Sequence, residues 1–264
     1  MRNLGSAVFL FALLCATAGA GFLANSRLPE KHRSADSIEL VQLGITLLVT
    51  FTAIVLGLLT TSVKSGFDAA YSARGAYAGQ IAQLDRCLRN YGPETQKMRE
   101  QLRSYAAAVI ASTWPEEAPP TGVSYPDTSK MSRTGENSVL AGLMNDVGFE
   151  LHSLQPPDDL HKNLMSACNE DYGELIRRRW AVIEGVRGSI STPFYWMLVF
   201  WLVILFGSFG LRAPPNTMSV IVIGLCAVSV SIAVFVILDM DDPYGGLFGI
   251  PSTSMRNALV DMTR

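Results

Sequence analysis

The stretch Ile38–Val63, IELVQLGITLLVTFTAIVLGLLTTSV, decides the fold. It carries no charge in its middle, its single charge, Glu39, standing at the first turn. A bilayer core about 30 Å thick is crossed by about 20 apolar helical residues, so this run is long enough to span. Working outward, Leu4–Leu23, Phe194–Leu211 and Met218–Leu238 are also near that length, with no charge in their middles. The four runs form two pairs separated by a polar stretch. The expected fold is all-α: four transmembrane helices in two pairs, with a helical cytoplasmic bundle inserted between the second and third spans. Its expected layout is a first span or signal segment over 1–24, spans at 38–63, 194–211 and 218–238, the insert at 64–193 and a tail at 239–264.

The composition agrees with a membrane protein. Of 264 residues, 49% are hydrophobic and 17% charged, where a soluble domain carries about 25% charge. The net charge of −2 excludes a nucleic-acid partner, because a phosphate-binding surface needs a basic excess. The partner that composition implies is membrane lipid. Cys15, Cys87, Cys168 and Cys226 form no C-x-x-C pair, which argues against a zinc knuckle or redox motif. They read as small buried side chains in a reducing compartment.

The first run has two readings. Arg2, Val8–Ala16 and Ala18-Gly19-Ala20 resemble the three regions of a signal peptide, but the apolar stretch exceeds a usual signal core and favours a retained helix. Positive residues near span ends prefer the cytoplasm. Lys64, Arg74, Arg177, Arg178, Arg179 and Arg187 place the central region there, and Arg256 and Arg264 place the C-terminus there. Arg27, Lys31 and Arg33 pull the other way in the first hairpin. The expected location is the bacterial inner membrane, multi-pass.

Within the insert, helical spacing dominates. The second span should continue to Asn90 and stop at Tyr91-Gly92-Pro93, where glycine suits a left-handed cap and proline opens the next helix. Met98, Leu102, Tyr105, Val109 and Ile110 mark a helix over Glu94–Trp114. Residues 115–135 lack a period and read as a mobile loop. Leu140, Leu143, Val147 and Leu151 mark a helix over Glu136–Leu154, and a last one should run from Asp159 to Ile190.

Two patterns carry candidate chemistry. Gln42, Thr46, Thr50, Ala53, Gly57, Thr60, Thr61 and Lys64 recur at three- and four-residue spacing. That spacing puts small and hydroxyl side chains on one helix face, suited either to close helix contact or to lining a pore. After the fourth span, Asp239, Asp241 and Asp242 precede Pro243-Tyr244-Gly245-Gly246, a structural turn. Carboxylates beside freed carbonyls suit calcium or another hard cation, or an ion rim. Acids capping a turn explain them equally. Arg177-Arg178-Arg179 reads as a lipid-headgroup contact or a solvated face. Tyr195, Trp196 and Trp201 read as interfacial anchors. His32, His152 and His161 lack partners at ligand spacing. No nucleotide or hydrolase fingerprint occurs, so no enzyme is expected.

Three stretches carry a family resemblance: Ile54–Leu59 leading into Phe67–Tyr71, Phe206-Gly207-Ser208-Phe209-Gly210 through Asn216, and Phe235–Gly246. In these the chain resembles the bacterial bestrophin-like domain family, which is distantly similar to bestrophins. Bestrophins are homopentameric ion channels whose second span lines a pore neck. In animal members a turn after the fourth span helps bind calcium. The resemblance implies a homo-oligomer, a pentamer, with the Thr46–Thr61 face toward a central axis and Asp239, Asp241 and Asp242 at the inner rim. The functions expected are an ion channel or channel-derived protein or, as the alternative, a non-conducting scaffold whose cytoplasmic helices bind a protein partner.

Overall fold

The computed structural model describes residues 2–27, 35–185, 192–214 and 216–264. Lys31, His32, Arg33, Arg187, Ile190 and Pro215, used in the sequence reading, lie outside the described residues. Among the described residues the secondary structure is helix, turn and loop, without strand. The helices are α1 (Arg2–Arg27), α2 (Ala35–Tyr91), α3 (Gln96–Thr113), α4 (Ser138–Ser153), α5 (Asp159–Gly185), α6 (Thr192–Arg212), α7 (Thr217–Met240) and α8 (Thr253–Thr263). α1, α2, α6 and α7 are each long and apolar enough to cross a membrane.

The helix ends follow local chemistry. α2 stops where Gly92 takes φ 137°, a conformation that costs glycine least. A 3-10 turn, Pro93–Thr95, follows, and the Thr95 hydroxyl donates to the Leu88 carbonyl at 2.5 Å. Asn137 accepts from the Val139 and Leu140 amides at the head of α4. Asp158 accepts from the His161 amide at 2.8 Å, and Asn216 from the Ser219 amide at 2.8 Å. Such caps satisfy donors that have no intrahelical acceptor, each worth about 1 kcal/mol.

The chain divides into two compact units. The first holds α1, α2 through Phe67, α6, α7 and Gly246–Phe248. In it α1 packs against α6 and α7, so neighbours in sequence are not the main neighbours in space. Leu10, Leu14, Leu198, Leu202, Phe206, Ala227 and Val234 form its core. Lipid tails are as apolar as these side chains, so close backbone approach must hold the helices together. Gly21 and Gly210 provide it. A Cβ on Gly210 would strike the Ala18 carbonyl, and one on Gly21 the Gly207 carbonyl.

The second unit holds α2 from Asp68, α3, α4, α5, Pro243–Gly245 and Gly249–Arg264. Ile81, Leu84, Leu88, Leu102, Ile110, Val147, Leu151, Leu175 and Met255 are buried in it, each worth about 1.5–3 kcal/mol in water. The irregular stretch between α3 and α4 is tied down at Glu117, which accepts from Ser252 and Arg256. Trp114 Nε1 donates to the Ile250 carbonyl at 2.7 Å.

Two sequence expectations need correction. Cys87 and Cys168 form a disulfide, because α2 and α5 meet there with Cα atoms 5.5 Å apart. Cys15 and Cys226 are free. The Arg177–Arg179 run is not one solvated face. Arg177 and Arg178 pair with Glu174, whereas Arg179 is buried and pairs with Glu136 at 2.9 Å.

Candidate functional site

The hydroxyl stripe of α2 is bare within the chain. Gln42, Thr46, Thr50, Ala53, Gly57, Thr60, Thr61 and Lys64 are all exposed. So are Leu43, Leu47, Phe51, Ile54 and Leu58 on an adjoining face. Only 6% of the apolar stretch of α2 is buried, against 28% for α1, 33% for α6 and 22% for α7. A Cβ on Gly57 meets nothing within 4 Å. The threonines use their protons on their own helix. Thr46 donates to the Gln42 carbonyl at 3.0 Å, Thr50 to Thr46 at 2.9 Å, Thr60 to Leu56 at 2.7 Å and Thr61 to Gly57 at 3.0 Å. What remains outward is the lone pairs of each hydroxyl oxygen, a row of acceptors. Lys64 closes the stripe with its ammonium 5.9 Å from the Phe67 ring centre.

At the other end of the stripe, Gln42 accepts from Arg212 Nη2 at 3.1 Å. A cavity of about 610 Å³ opens beside this pair, walled by Ile45, Phe209, Val222 and Ile223.

The acidic cluster splits by role. Asp239 is 2% exposed. Its Oδ2 accepts from the Leu247 and Phe248 amides at 2.7 and 3.0 Å, and its Oδ1 from Asn3 Nδ2 at 3.4 Å. Gly246, at φ 71°, sits so close that a Cβ there would collide with this carboxylate. Asp239 therefore holds a turn together, with its Oδ2 committed to two backbone amides. Asp241 and Asp242 are half-buried. Among the described residues no group of three or more His, Cys, Asp or Glu is spaced to hold a metal ion.

The turn residues serve a second assembly, inside the other unit. Pro243 accepts at its carbonyl from the Ile250 amide at 2.7 Å. The Tyr244 hydroxyl accepts from Arg74 Nε at 3.1 Å. The Arg74 guanidinium stacks 4.5 Å from the Tyr244 ring centre and 5.1 Å from that of Trp114. Nearby, the Tyr77 and Tyr105 hydroxyls hydrogen-bond to each other, and Arg179 Nε donates to Tyr105 at 3.2 Å. Burial pushes the Tyr105 phenol up despite Arg179 beside it, so it stays protonated. Asp85, 1% exposed, takes Arg99 Nε at 3.0 Å and Arg89 Nη2 at 3.0 Å.

Sequence reasoning missed this buried charge. Charge bias gives Arg74 only a topological role, and spacing singles out neither Asp85, Arg99 nor Tyr77. A signal was present. Arg74 shares three- and four-residue spacing with Ala70, Tyr77, Ile81, Leu84 and Leu88, all buried. A charge on the apolar face of a helix is expensive unless something receives it.

The Bestrophin-like domain family model matches residues 12–255. No curated protein matches the chain. A crystal structure of a bacterial bestrophin homologue from Klebsiella pneumoniae, determined by Zn-SAD phasing, is 16% identical with a TM-score of 0.63, covering 97% of this chain and 98% of that one. A single-substitution variant of that homologue is 14% identical with a TM-score of 0.65, covering 98% and 99%. At that identity the likeness shows the fold, whereas the family match runs from within α1 to within α8. The chain belongs to the Bestrophin-like domain family.

Proposed function

We propose that this protein is an oligomeric ion channel of bestrophin type, a pentamer of four-span subunits in the bacterial inner membrane. The observation that carries the reading is the bareness of α2. A span with 6% of its apolar stretch buried is not finished by its own chain. Copies arranged about a closed axis supply the missing neighbours. The adjoining apolar face, Leu47, Phe51 and Leu58, suits contact with neighbouring subunits. The stripe from Thr46 to Thr61 then faces the axis, where its outward oxygens replace part of the hydration of a passing ion. Asp241 and Asp242 are the rim carboxylates in this reading, with Asp239 as their structural support. Ion movement, rather than catalysis, is the activity.

Purified protein counted in nanodiscs and reconstituted in planar bilayers tests this. The expected result is five subunits and a conductance above empty-bilayer background. A stable oligomer silent in several salts overturns conduction and leaves the scaffold. Asp241→Ala with Asp242→Ala is expected to change the selectivity among cations; unaltered reversal potentials remove those residues from the rim.

The insert is proposed to be cytoplasmic, from the charge bias around it. The Cys87–Cys168 bond bears directly on this, because disulfides persist in oxidising compartments and cytosolic thiols are kept reduced. In a cytoplasmic insert the pair is reduced in living cells and closes on exposure to oxidant. Alkylation of acid-quenched, unfolded cell protein, followed by mass spectrometry, should find both thiols blocked. An oxidised pair would move the insert to the periplasm.

A further inference from the structure

The second unit contains a cationic cavity that the channel reading does not use. It measures about 50 Å³ and is lined by Arg74, Arg179, Tyr77, Tyr105 and the loop residues Arg133 and Thr134, among others. One water needs about 10–15 Å³ on this measure, so there is room for a small ion. Arg74 and Arg179 are 5% and 7% exposed.

The charges do not balance. Arg179 pairs with Glu136 and Arg133 with Glu116. Among the described residues no carboxylate pairs with Arg74, whose polar contacts are its Nε–H to Tyr244 and the faces of Tyr244 and Trp114. Ring faces stabilise a guanidinium, but its Nη1 and Nη2 protons still need acceptors. A buried charge left without a counter-charge is destabilising.

The phenols add one more donor. Two hydroxyls share one hydrogen bond between them. Arg179 donates to Tyr105, so that oxygen needs no proton from elsewhere. Whichever tyrosine donates to the other, one O–H is left over. Guanidinium protons and a phenol O–H therefore line the same small space, with one excess positive charge.

From this geometry we infer that the cavity binds a small monovalent inorganic anion of the chloride class, held chiefly by Arg74 and helped by the Tyr77–Tyr105 pair. The site is independent of conduction. Its role is to neutralise Arg74 and lock α2, α3 and α5 to the loop before α4.

The test uses full-length protein in detergent, melted in sodium gluconate with increasing sodium chloride at constant ionic strength. A ligand that binds only the folded state raises Tm with saturation. The expected result is a saturable rise with chloride, bromide or nitrate, absent in Arg74→Gln. An equal Tm in all salts, or an unchanged rise in Arg74→Gln, overturns the site. A rise with phosphate alone overturns the anion class. If Arg74→Gln does not fold, Tyr77→Phe with Tyr105→Phe keeps the question open to measurement. Loss of a hydrogen bond to a charged partner should raise the half-saturating chloride about ten-fold; no change there sinks the role of the phenols. Bromide anomalous scattering inside the cavity is the direct expectation, and scattering only elsewhere refutes it.

Discussion

α2 is one helix in two surroundings. From Gln42 to Thr61 almost every side chain is exposed or half-buried, with Thr52 the exception. From Ala70 to Tyr91 one face is closed: Ala70, Arg74, Tyr77, Ala78, Ile81, Leu84, Asp85, Leu88 and Tyr91 are buried. The second part is closed within a single chain, because water drives its apolar face inward and Asp85 meets Arg99 and Arg89. The first part gains nothing from hiding apolar groups among lipid tails. Its surface is left open by its own chain, and in the proposed channel other copies cover it. One half of the helix is thus finished by its own chain and the other is not.

The sharpest way to break that contrast is a pair of glycine substitutions. Gly57→Leu should abolish conductance or assembly while leaving the protomer fold intact, since nothing in the protomer lies within 4 Å of the new Cβ. Its partner experiment, Gly210→Leu, should destroy the α1–α6 contact and the yield of folded protein, because the Cβ meets the Ala18 backbone. Size-exclusion profiles and bilayer currents read both. Normal currents from Gly57→Leu would remove the stripe from the axis.

The completed half is tested next. Asp85→Ala strips the carboxylate from Arg99 and Arg89. Removing one partner of a buried ion pair costs about 3–5 kcal/mol, so a large drop in the melting temperature is expected. A drop no larger than that of a surface substitution would show the network to be dispensable. Gly246→Ala is smaller. A side chain at φ 71° that also crowds Asp239 should cost about 1–3 kcal/mol, read by chemical denaturation; a neutral result would deny the turn its rigidity.

The smallest expected effect is on pH. Burial raises the Glu117 carboxyl, but hydrogen bonds from Ser252 and Arg256 outweigh it and hold the group below its usual 4.5. A depressed carboxylate stabilises the fold above its ordinary value, and the contribution is lost as pH falls through the depressed one. Protection of the α8 amides, taken relative to their intrinsic exchange rate, should therefore fall on acidification below about pH 4.5, and Glu117→Gln should flatten that dependence. Identical profiles for the two proteins would free the loop from this anchor.

The four apolar helices and the helical insert were legible because a length of about 20 apolar residues and a period of 3.6 are local properties. The Tyr91-Gly92-Pro93 stop was legible for the same reason. The acidic run after α7 was visible, but its roles were not. Asp239 took backbone amides because the chain turns back at Gly246 and brings the Leu247 and Phe248 amides, eight and nine residues on, to its carboxylate. The Cys87–Cys168 bond lay equally beyond reach, since 81 residues separate its sulfurs along the chain.

The sequence by itself determined that the chain is helical, that it is built for a bilayer, and that α2 bears a hydroxyl face. These follow from side-chain type and spacing, which no distant contact can alter. Only the tertiary structure decided which charges are buried, that Arg74 rests between Trp114 and Tyr244, and that α2 alone among the four apolar helices is left nearly bare. Those outcomes depend on contacts between residues up to 236 positions apart, where the free energy of each placement is set by what the rest of the chain brings to meet it.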